Sequence, residues 1–187
     1  MGKSEGLLLV DLQPAYVGRG QSMLMKQVLQ HIQSLPNDTP LIALYVHHEL
    51  SGEFIEDVQE FWHDHGASEE LINRIHWMEK DYAFLRGWMD MGVDDEVIVG
   101  VLQKLKQLKK NDSRDLSLRM LNKLAPDRPK SNPLYVSHYL ENVLKVMRQF
   151  SSKWFTCGGG LHECLKEVEL VLAAENVNYE QIPYLTY

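Results

Sequence analysis

Two short apolar runs on either side of an amphipathic stretch constrain the fold of this chain most strongly. Residues 5–11 are almost continuously apolar up to a carboxylate, Asp11, and Pro14 soon afterwards excludes a continued strand interior. Residues 22–34 carry apolar side chains at helical spacing, and residues 40–46 form a second apolar run. A strand, a helix and a strand with short connections predict a right-handed βαβ unit with parallel strands.

The alternation continues along the chain, although less clearly in the middle. Residues 54–65 are amphipathic or irregular, and residues 111–134 are interpreted as a loop with one short helix at 116–124. The further strands are predicted at 71–78, where the strand ends near Lys80, at 153–157 and at 177–182, and the further helices at 96–109, 136–150 and 162–174. This order predicts a three-layer α/β/α fold with a mainly parallel, Rossmann-like sheet of five or six strands.

Composition indicates a single globular domain. The 187 residues are 44% hydrophobic and 24% charged, which is close to the average of globular proteins. Only two cysteines occur, Cys157 and Cys164, so no disulfide framework can be drawn, and a reducing compartment is expected. Without an apolar run of about 20 residues or an evident secretory signal, the sequence predicts a cytoplasmic protein.

Charge argues against nucleic-acid or membrane partners, because such binding is driven by basic residues and the formal net charge is −7. The segment 103–130 departs from this balance, since it holds nine basic and three acidic residues. Its simplest interpretation is a solvated helix face. The alternatives are recognition of an anionic substrate, of a partner subunit or of nucleic acid.

Chemically active side chains are expected where the parallel strands end, because ligands collect in the crevice beyond these ends. Asp11 follows the first strand, Lys80 the third, and the glycines 158–160 the fourth, with Cys164 in the first turn of the next helix. A nearby lysine and the helix dipole favour a thiolate, and an aspartate can accept the thiol proton. The pattern predicts a nucleophilic thiol site.

Three motifs carry a resemblance to a known family. They are Leu-Leu-Val-Asp-Leu-Gln-Pro-Ala-Tyr at 8–16, Lys-Asp-Tyr-Ala-Phe at 80–84 and Gly-Gly-Gly-Leu-His-Glu-Cys at 158–164. In this order the chain resembles the isochorismatase-like cysteine hydrolases, which include nicotinamidases, isochorismatases and carbamoylsarcosine amidohydrolases. By position, the resemblance implies Asp11 as base, Lys80 as electrostatic partner and Cys164 as nucleophile.

The resemblance also implies a reaction and its supporting groups. Cys164 attacks a small-molecule carbonyl, an amide is cleaved through a thioester, and the backbone N–H groups of Gly160 and Cys164 bind the oxyanion. A cis peptide is expected at Gly159–Gly160, no cofactor or metal is implied, and a homo-oligomer is expected. The residues expected to contact substrate are Gln13, Tyr16, Tyr82, Phe84, Gly159 and His162.

Departures from the family pattern keep an alternative open. Leu161 stands where the family usually has Thr, and about 84 residues separate Lys80 from Cys164, roughly twice the usual spacing. The sequence therefore predicts one domain, 1–187, with a basic helical or loop insertion at about 88–135, and the sixth strand of the family is in doubt. The alternative function is a catalytically altered member that binds partners through this insertion.

Other side chains have competing interpretations. Cys157 is expected in the core. The aromatic side chains of Trp62, Trp88, Tyr82 and Phe84 either line a pocket for a planar substrate or pack in the core. Four histidines cluster after the second strand, and solvated or structural roles are favoured over a metal site because no Asp-x-His element accompanies them. They are His47, His48, His63 and His65.

Overall fold

The described part of the chain is built around a parallel sheet. A computed structural model describes residues 5–17, 22–46, 48–80, 85–107 and 138–187. Its sheet has five parallel strands in the order β3-β2-β1-β4-β5. The strands are β1 Glu5–Val10, β2 Leu41–Val46, β3 His76–Lys80, β4 Lys153–Gly158 and β5 Asn178–Gln181. The predicted α/β class and sheet are confirmed, with five strands within these described ranges.

Helices connect these strands. They are α1 Pro14–Val17, α2 Ser22–Ser34, α3 His48–Ser51, α4 Ile55–Asp64, α5 Glu69–Arg74, α6 Arg86–Asp90, α7 Asp95–Gln107, α8 His138–Phe150 and α9 Cys164–Ala174, and a 3₁₀ helix spans Pro183–Leu185. Within the described ranges, none of the helices is long and apolar enough to cross a bilayer.

Alternating side chains of each central strand divide the interior into two cores. Leu8 and Val10 of β1 face a core shared with α7, α8 and α9. Leu7 and Leu9 face the opposite core, which contains side chains of α2, α4 and α5. Because successive side chains of a strand point to opposite faces, the central strands are buried on both sides, as a covered parallel sheet requires. These are the three predicted layers.

The strand order reverses at β1, which positions the site. β1 pairs with β2 on one side, where Leu7 lies beside Leu41, and with β4 on the other, where Val10 lies beside Gly158. The chain moves outward from β1 through β2 to β3 and then returns to β4. In such sheets the crevice opens between the carboxyl ends of the two strands at the reversal, here β1 and β4.

The middle of the chain differs from the sequence-based expectation. The predicted third strand at 71–78 begins only at His76, because Ser68 caps helix α5 by accepting the N–H of Leu71 at 3.2 Å, and two glutamates favour its first turn. The stretch 54–65 is helical, as α4. Most of the basic segment 103–130, with the short helix predicted at 116–124, lies outside the described residues.

Candidate active site

A buried ion pair lies at the reversal of the sheet. Lys80 Nζ is 3.0 Å from Asp11 Oδ2, and the two side chains are 0% and 1% exposed. Lys80 ends β3, and Asp11 follows β1 two strands away, so the lysine side chain crosses the end of β2, where Val46 is its neighbour. Removing two charges from water is costly, and close pairing offsets much of that cost.

The backbone of Asp11 has an unusual conformation. Its φ is +50°, in the left-handed region that few residues other than glycine adopt, although aspartate tolerates it better than most. Its N–H still donates to Leu44 O at 2.9 Å, which continues the strand pairing by one residue. The chain therefore turns away from the sheet at the carboxylate.

Two further side chains hold the loop after Asp11. Gln13 accepts the N–H of Val46 at 2.8 Å through Oε1 and donates to Glu53 at 2.6 Å through Nε2. Trp62 donates its indole N–H to Leu12 O at 2.8 Å. Gln13 was expected to contact substrate, and in the structure its buried amide links the loop after β1 to the end of β2.

The glycine turn brings the start of α9 against β1. Gly158 and Gly159 have φ values of +77° and +58°, and a Cβ on Gly158 would lie 2.4 Å from Val10 O. Only glycine fits such a turn. The expected cis peptide at Gly159–Gly160 is wrong, since the described residues contain only trans peptide bonds, and two successive left-handed residues reverse the chain instead.

Cys164 is the first residue of α9 and is partly buried. Its thiol lies near the Asp11 carboxylate, the Lys80 ammonium and the Gly160 N–H, all of which shift its pKa. Apart from the Lys80 ion pair, neither oxygen of Asp11 has a hydrogen-bond partner among the described residues. The three groups predicted to form the site therefore meet at one place.

The acidity of Cys164 differs from the sequence-based expectation. Burial raises the pKa of its thiol to about 11, and the charge on Asp11 adds to that rise. The Gly160 N–H and the Lys80 charge oppose it only in part. The expectation that lysine and the helix dipole would leave a thiolate is therefore wrong for the resting site. The proton stays on sulfur, beside a carboxylate that can accept it.

Two backbone N–H groups are available near the sulfur. In the ranges that the structure covers, the N–H groups of Gly160 and Cys164 donate to no backbone carbonyl, whereas the Gly160 carbonyl accepts from Glu163 and Leu165. These two N–H groups are the donors that the sequence assigned to an oxyanion. Gly159, expected to contact substrate, uses its carbonyl to accept the N–H of Tyr187 at 3.1 Å.

Tyr187 is a site residue that sequence reasoning missed. Besides its bond to Gly159, its carbonyl accepts the N–H of Leu161 at 2.9 Å. Its hydroxyl is buried against the Cys164 thiol, and no nitrogen or oxygen atom of the described residues bonds to it. Burial first, and then the neighbouring Cys164 and Asp11, raise the pKa of Tyr187. Tyr16, expected to contact substrate, lies near this hydroxyl.

Glu167 is the second residue that was missed. It is 1% exposed, its carboxylate accepts the N–H of Leu85 at 2.7 Å, and the N–H of Arg86 lies nearby. Burial raises the pKa of Glu167 to about 7, although those N–H groups and the Lys80 charge favour its ionised form. Its spacing of three residues from Cys164 puts both side chains on one helix face, and this signal was visible in the sequence.

His162 lies outside this cluster. It is exposed and lines an open surface groove of about 640 Å³ together with the start of α7 and Lys166. Beside it, Arg86 pairs with Glu163 at 2.7 Å and with Asp90 at 2.8 Å. The other residues expected to contact substrate, Tyr82 and Phe84, lie outside the described residues.

The structure also describes the tryptophans, Cys157 and most of the histidines that the sequence analysis singled out. Trp62 and Trp88 are buried in opposite cores, so they share no aromatic pocket. Cys157 is 0% exposed in the core of β4, as predicted. His48 stacks on Phe54 with ring centroids 3.7 Å apart. The described residues contain no group of three or more potential metal ligands, and His47 lies outside them.

The geometry defines a class of site: a thiol next to a buried carboxylate–ammonium pair at the crevice of a parallel sheet. Comparisons of the chain with models of known families, with curated proteins and with solved structures found no match.

Proposed function

We propose that the protein is an isochorismatase-like cysteine hydrolase that cleaves an amide C–N bond of a small molecule through a thioester. One observation carries this proposal: the Cys164 thiol, the Asp11 carboxylate and the Lys80 ammonium meet at the reversal of strand order. A nucleophile, a base within hydrogen-bonding reach and a third group that orients the base are the minimum set for covalent catalysis.

In the first half of the proposed reaction, Asp11 accepts the thiol proton as the Cys164 sulfur forms a bond to the amide carbon. The resulting oxyanion accepts hydrogen bonds from the Gly160 and Cys164 N–H groups, each typically worth about 2.7–4 kcal/mol. Asp11 then gives its proton to the leaving nitrogen, the C–N bond breaks, and a thioester remains on Cys164.

In the second half, water attacks the thioester carbon and Asp11 accepts a proton from that water. The carbon–sulfur bond breaks, the acid product leaves, and the proton returns to the Cys164 sulfur. Lys80 supports both halves, because its charge pairs with the Asp11 carboxylate before attack and faces the negative charge that develops near the sulfur when Asp11 takes the proton.

The surroundings of the sulfur favour a small substrate. Cys164 is only partly exposed, and the Tyr187 hydroxyl lies directly against it. A reacting carbonyl must fit beside this ring and within reach of the two N–H donors. A long or branched acyl group at this position would collide with the tyrosine.

A second candidate function remains, a catalytically altered member that binds partners through the basic segment 103–130. The observations that favour it are Leu161 in place of Thr and the raised pKa of Cys164, about 11, which leaves little thiolate at neutral pH. The two candidates differ in turnover, because the second one predicts none.

The test is a hydrolysis screen with matched cysteine variants. Ammonia release is measured for small primary amides and ureido compounds with the wild type, Cys164→Ala and Cys157→Ala. Loss of the nucleophile lowers turnover by about 10³-fold or more, whereas Cys157→Ala retains it because that thiol is in the core. An acyl adduct on Cys164, seen by mass spectrometry, identifies the thioester. Turnover that persists in Cys164→Ala would end the proposal.

A further inference from the structure

Glu167 connects helix α9, which begins with Cys164, to residues that follow Lys80 in the sequence. Its carboxylate accepts the N–H of Leu85, at the start of α6, while its own backbone lies one turn beyond Cys164 in α9. This contact spans 82 residues of sequence at the Leu85 bond. Residues of two distant segments are therefore fixed to each other next to the site.

Glu167 is also coupled electrically to the ion pair. Lys80 lies close enough that each charge favours the ionised form of the other, and Asp11 on the opposite side opposes the ionisation of Glu167. Two other cations of the neighbouring elements pair at the surface, Arg86 with Glu163 and Lys166 with Asp95 of α7. Lys80 is the cation that lowers the pKa of Glu167.

We infer that Glu167 is a positioning residue of this site, which holds the chain beyond Lys80 in place and sets how much of the Lys80 charge acts on Asp11 and Cys164. The inference rests on the proposed function, because it takes Cys164 as the nucleophile. When Glu167 is protonated, more of the Lys80 charge acts on Asp11 and the sulfur. When Glu167 is ionised, part of that charge is neutralised, and a thiolate is less favoured.

The sign of the pH effect follows from this coupling. The pKa of Glu167 is about 7, so its ionisation between pH 6 and pH 8 opposes the ordinary rise of thiolate with pH. The logarithm of the Cys164 alkylation rate should therefore rise by less than one unit per pH unit in this interval. Glu167→Gln keeps an oxygen that can accept the Leu85 N–H but cannot ionise.

The experiment measures iodoacetamide alkylation of Cys164 from pH 5.5 to 8.5 in a Cys157→Ala background. The ratio of the Glu167→Gln alkylation rate to the parent rate should be near one at pH 5.5 and rise to about threefold or more at pH 8.5. The size of this rise follows because a shift of one unit in the pKa of the thiol changes the thiolate fraction tenfold. The matched control is Glu169→Gln, two residues along the same helix. Glu169 is also buried, but its carboxylate accepts from Thr156 at 2.7 Å and neither Lys80 nor Cys164 is among the groups that shift its pKa, so its ratio should not depend on pH.

A ratio for Glu167→Gln that is constant with pH would overturn the inference. If this variant does not fold, the parent profile alone decides, because a uniform slope of one between pH 5.5 and 8.5 is incompatible with a coupled carboxylate. The measurement needs no substrate. A failure of the hydrolysis screen would therefore leave this result readable, and a constant ratio would leave the screen unaffected.

Discussion

Strand β4 and the start of helix α9 each carry a cysteine, and the two thiols have different surroundings. Cys157 is enclosed in the core, and burial alone raises its pKa to about 12. Cys164 is partly exposed, with a pKa of about 11, but it lies against Asp11, Lys80 and the Gly160 N–H. Their pKa values are similar, so resting acidity does not distinguish them.

The difference lies in what each thiol can do with its proton. Burial is the cause of the raised pKa of Cys157, and no titratable group contributes to it, so a group that could accept its proton is not evident. At Cys164, a carboxylate can accept the proton during attack, and an ammonium and an N–H can stabilise the negative charge that forms. Whether a thiol in this fold can act as a nucleophile therefore depends on the groups that accept its proton and stabilise its charge in the transition state. It does not depend on how much thiolate is present at rest.

The largest expected difference between the two thiols is in native-state alkylation. Cys164 should react at a rate that rises with pH up to about pH 11, and Cys157 should react only through unfolding, which lowers its rate by about 10³ to 10⁸. Peptide mapping after timed iodoacetamide exposure measures both rates. In urea the two sites should react alike, which is the control. A Cys164 rate already maximal at pH 6 would contradict the raised pKa.

Replacing Asp11 by Asn should move two properties of Cys164 in opposite directions. Because the charge on Asp11 raises the pKa of this thiol, Asp11→Asn lowers that pKa, and alkylation at pH 8 becomes faster. On the proposed function, hydrolysis should fall by about 10²–10⁴-fold, since the proposed general base is lost. The control is Asp90→Asn, an exposed partner of Arg86. If alkylation and hydrolysis fell together in Asp11→Asn, Asp11 would not be the base.

Lys80→Met tests the ion pair through stability. The substitution leaves the Asp11 carboxylate buried without a counter-charge, so the free energy of unfolding should fall by about 3–5 kcal/mol. The double variant Asp11→Asn, Lys80→Met should recover much of this loss, because it removes both charges.

Urea unfolding of the single and double variants measures the effect. Lys153→Met is the comparison, since Lys153 pairs with Glu180 at 2.9 Å near the surface, and its loss should lower the free energy of unfolding far less. Equal losses for Lys80→Met and Lys153→Met would show that the buried pair is no more important to folding than a surface pair.

Much of the fold could be predicted because its signals are local. Helix α2 occupies the predicted residues 22–34, and β1, β2 and β4 follow continuous apolar runs that only a covered sheet accommodates. Helix α5 was missed because its apolar residues suit a strand as well as a short helix, and the capping signal at Ser68 decides between them.

The candidate site also has features that the sequence predicts and features that it does not. The meeting of Asp11, Lys80 and Cys164 could be predicted because parallel strands end at one edge of the sheet. The direction of the Cys164 pKa shift could not be predicted, because it depends on whether burial outweighs the nearby lysine and N–H group. That balance is set by the tertiary structure. Tyr187 gave no signal, since its position depends on the packing of the 3₁₀ helix Pro183–Leu185.

The smallest expected effect concerns access of reagents to Cys164, whose thiol lies against the ring of Tyr187. Cys157 has no such neighbour to test, because it is enclosed in the core. Tyr187→Ala should speed the reaction of Cys164 with a bulky maleimide several-fold and with iodoacetamide much less, because the ring limits the size of the reactant. Tyr187→Phe should leave the size selectivity unchanged. Tyr184→Ala is the matched control, since this tyrosine is 66% exposed in the same segment. Acceleration of both reagents by the same factor would mean that Tyr187 tunes the thiol rather than limits access to it. The proposed preference for small substrates would then have to come from other residues.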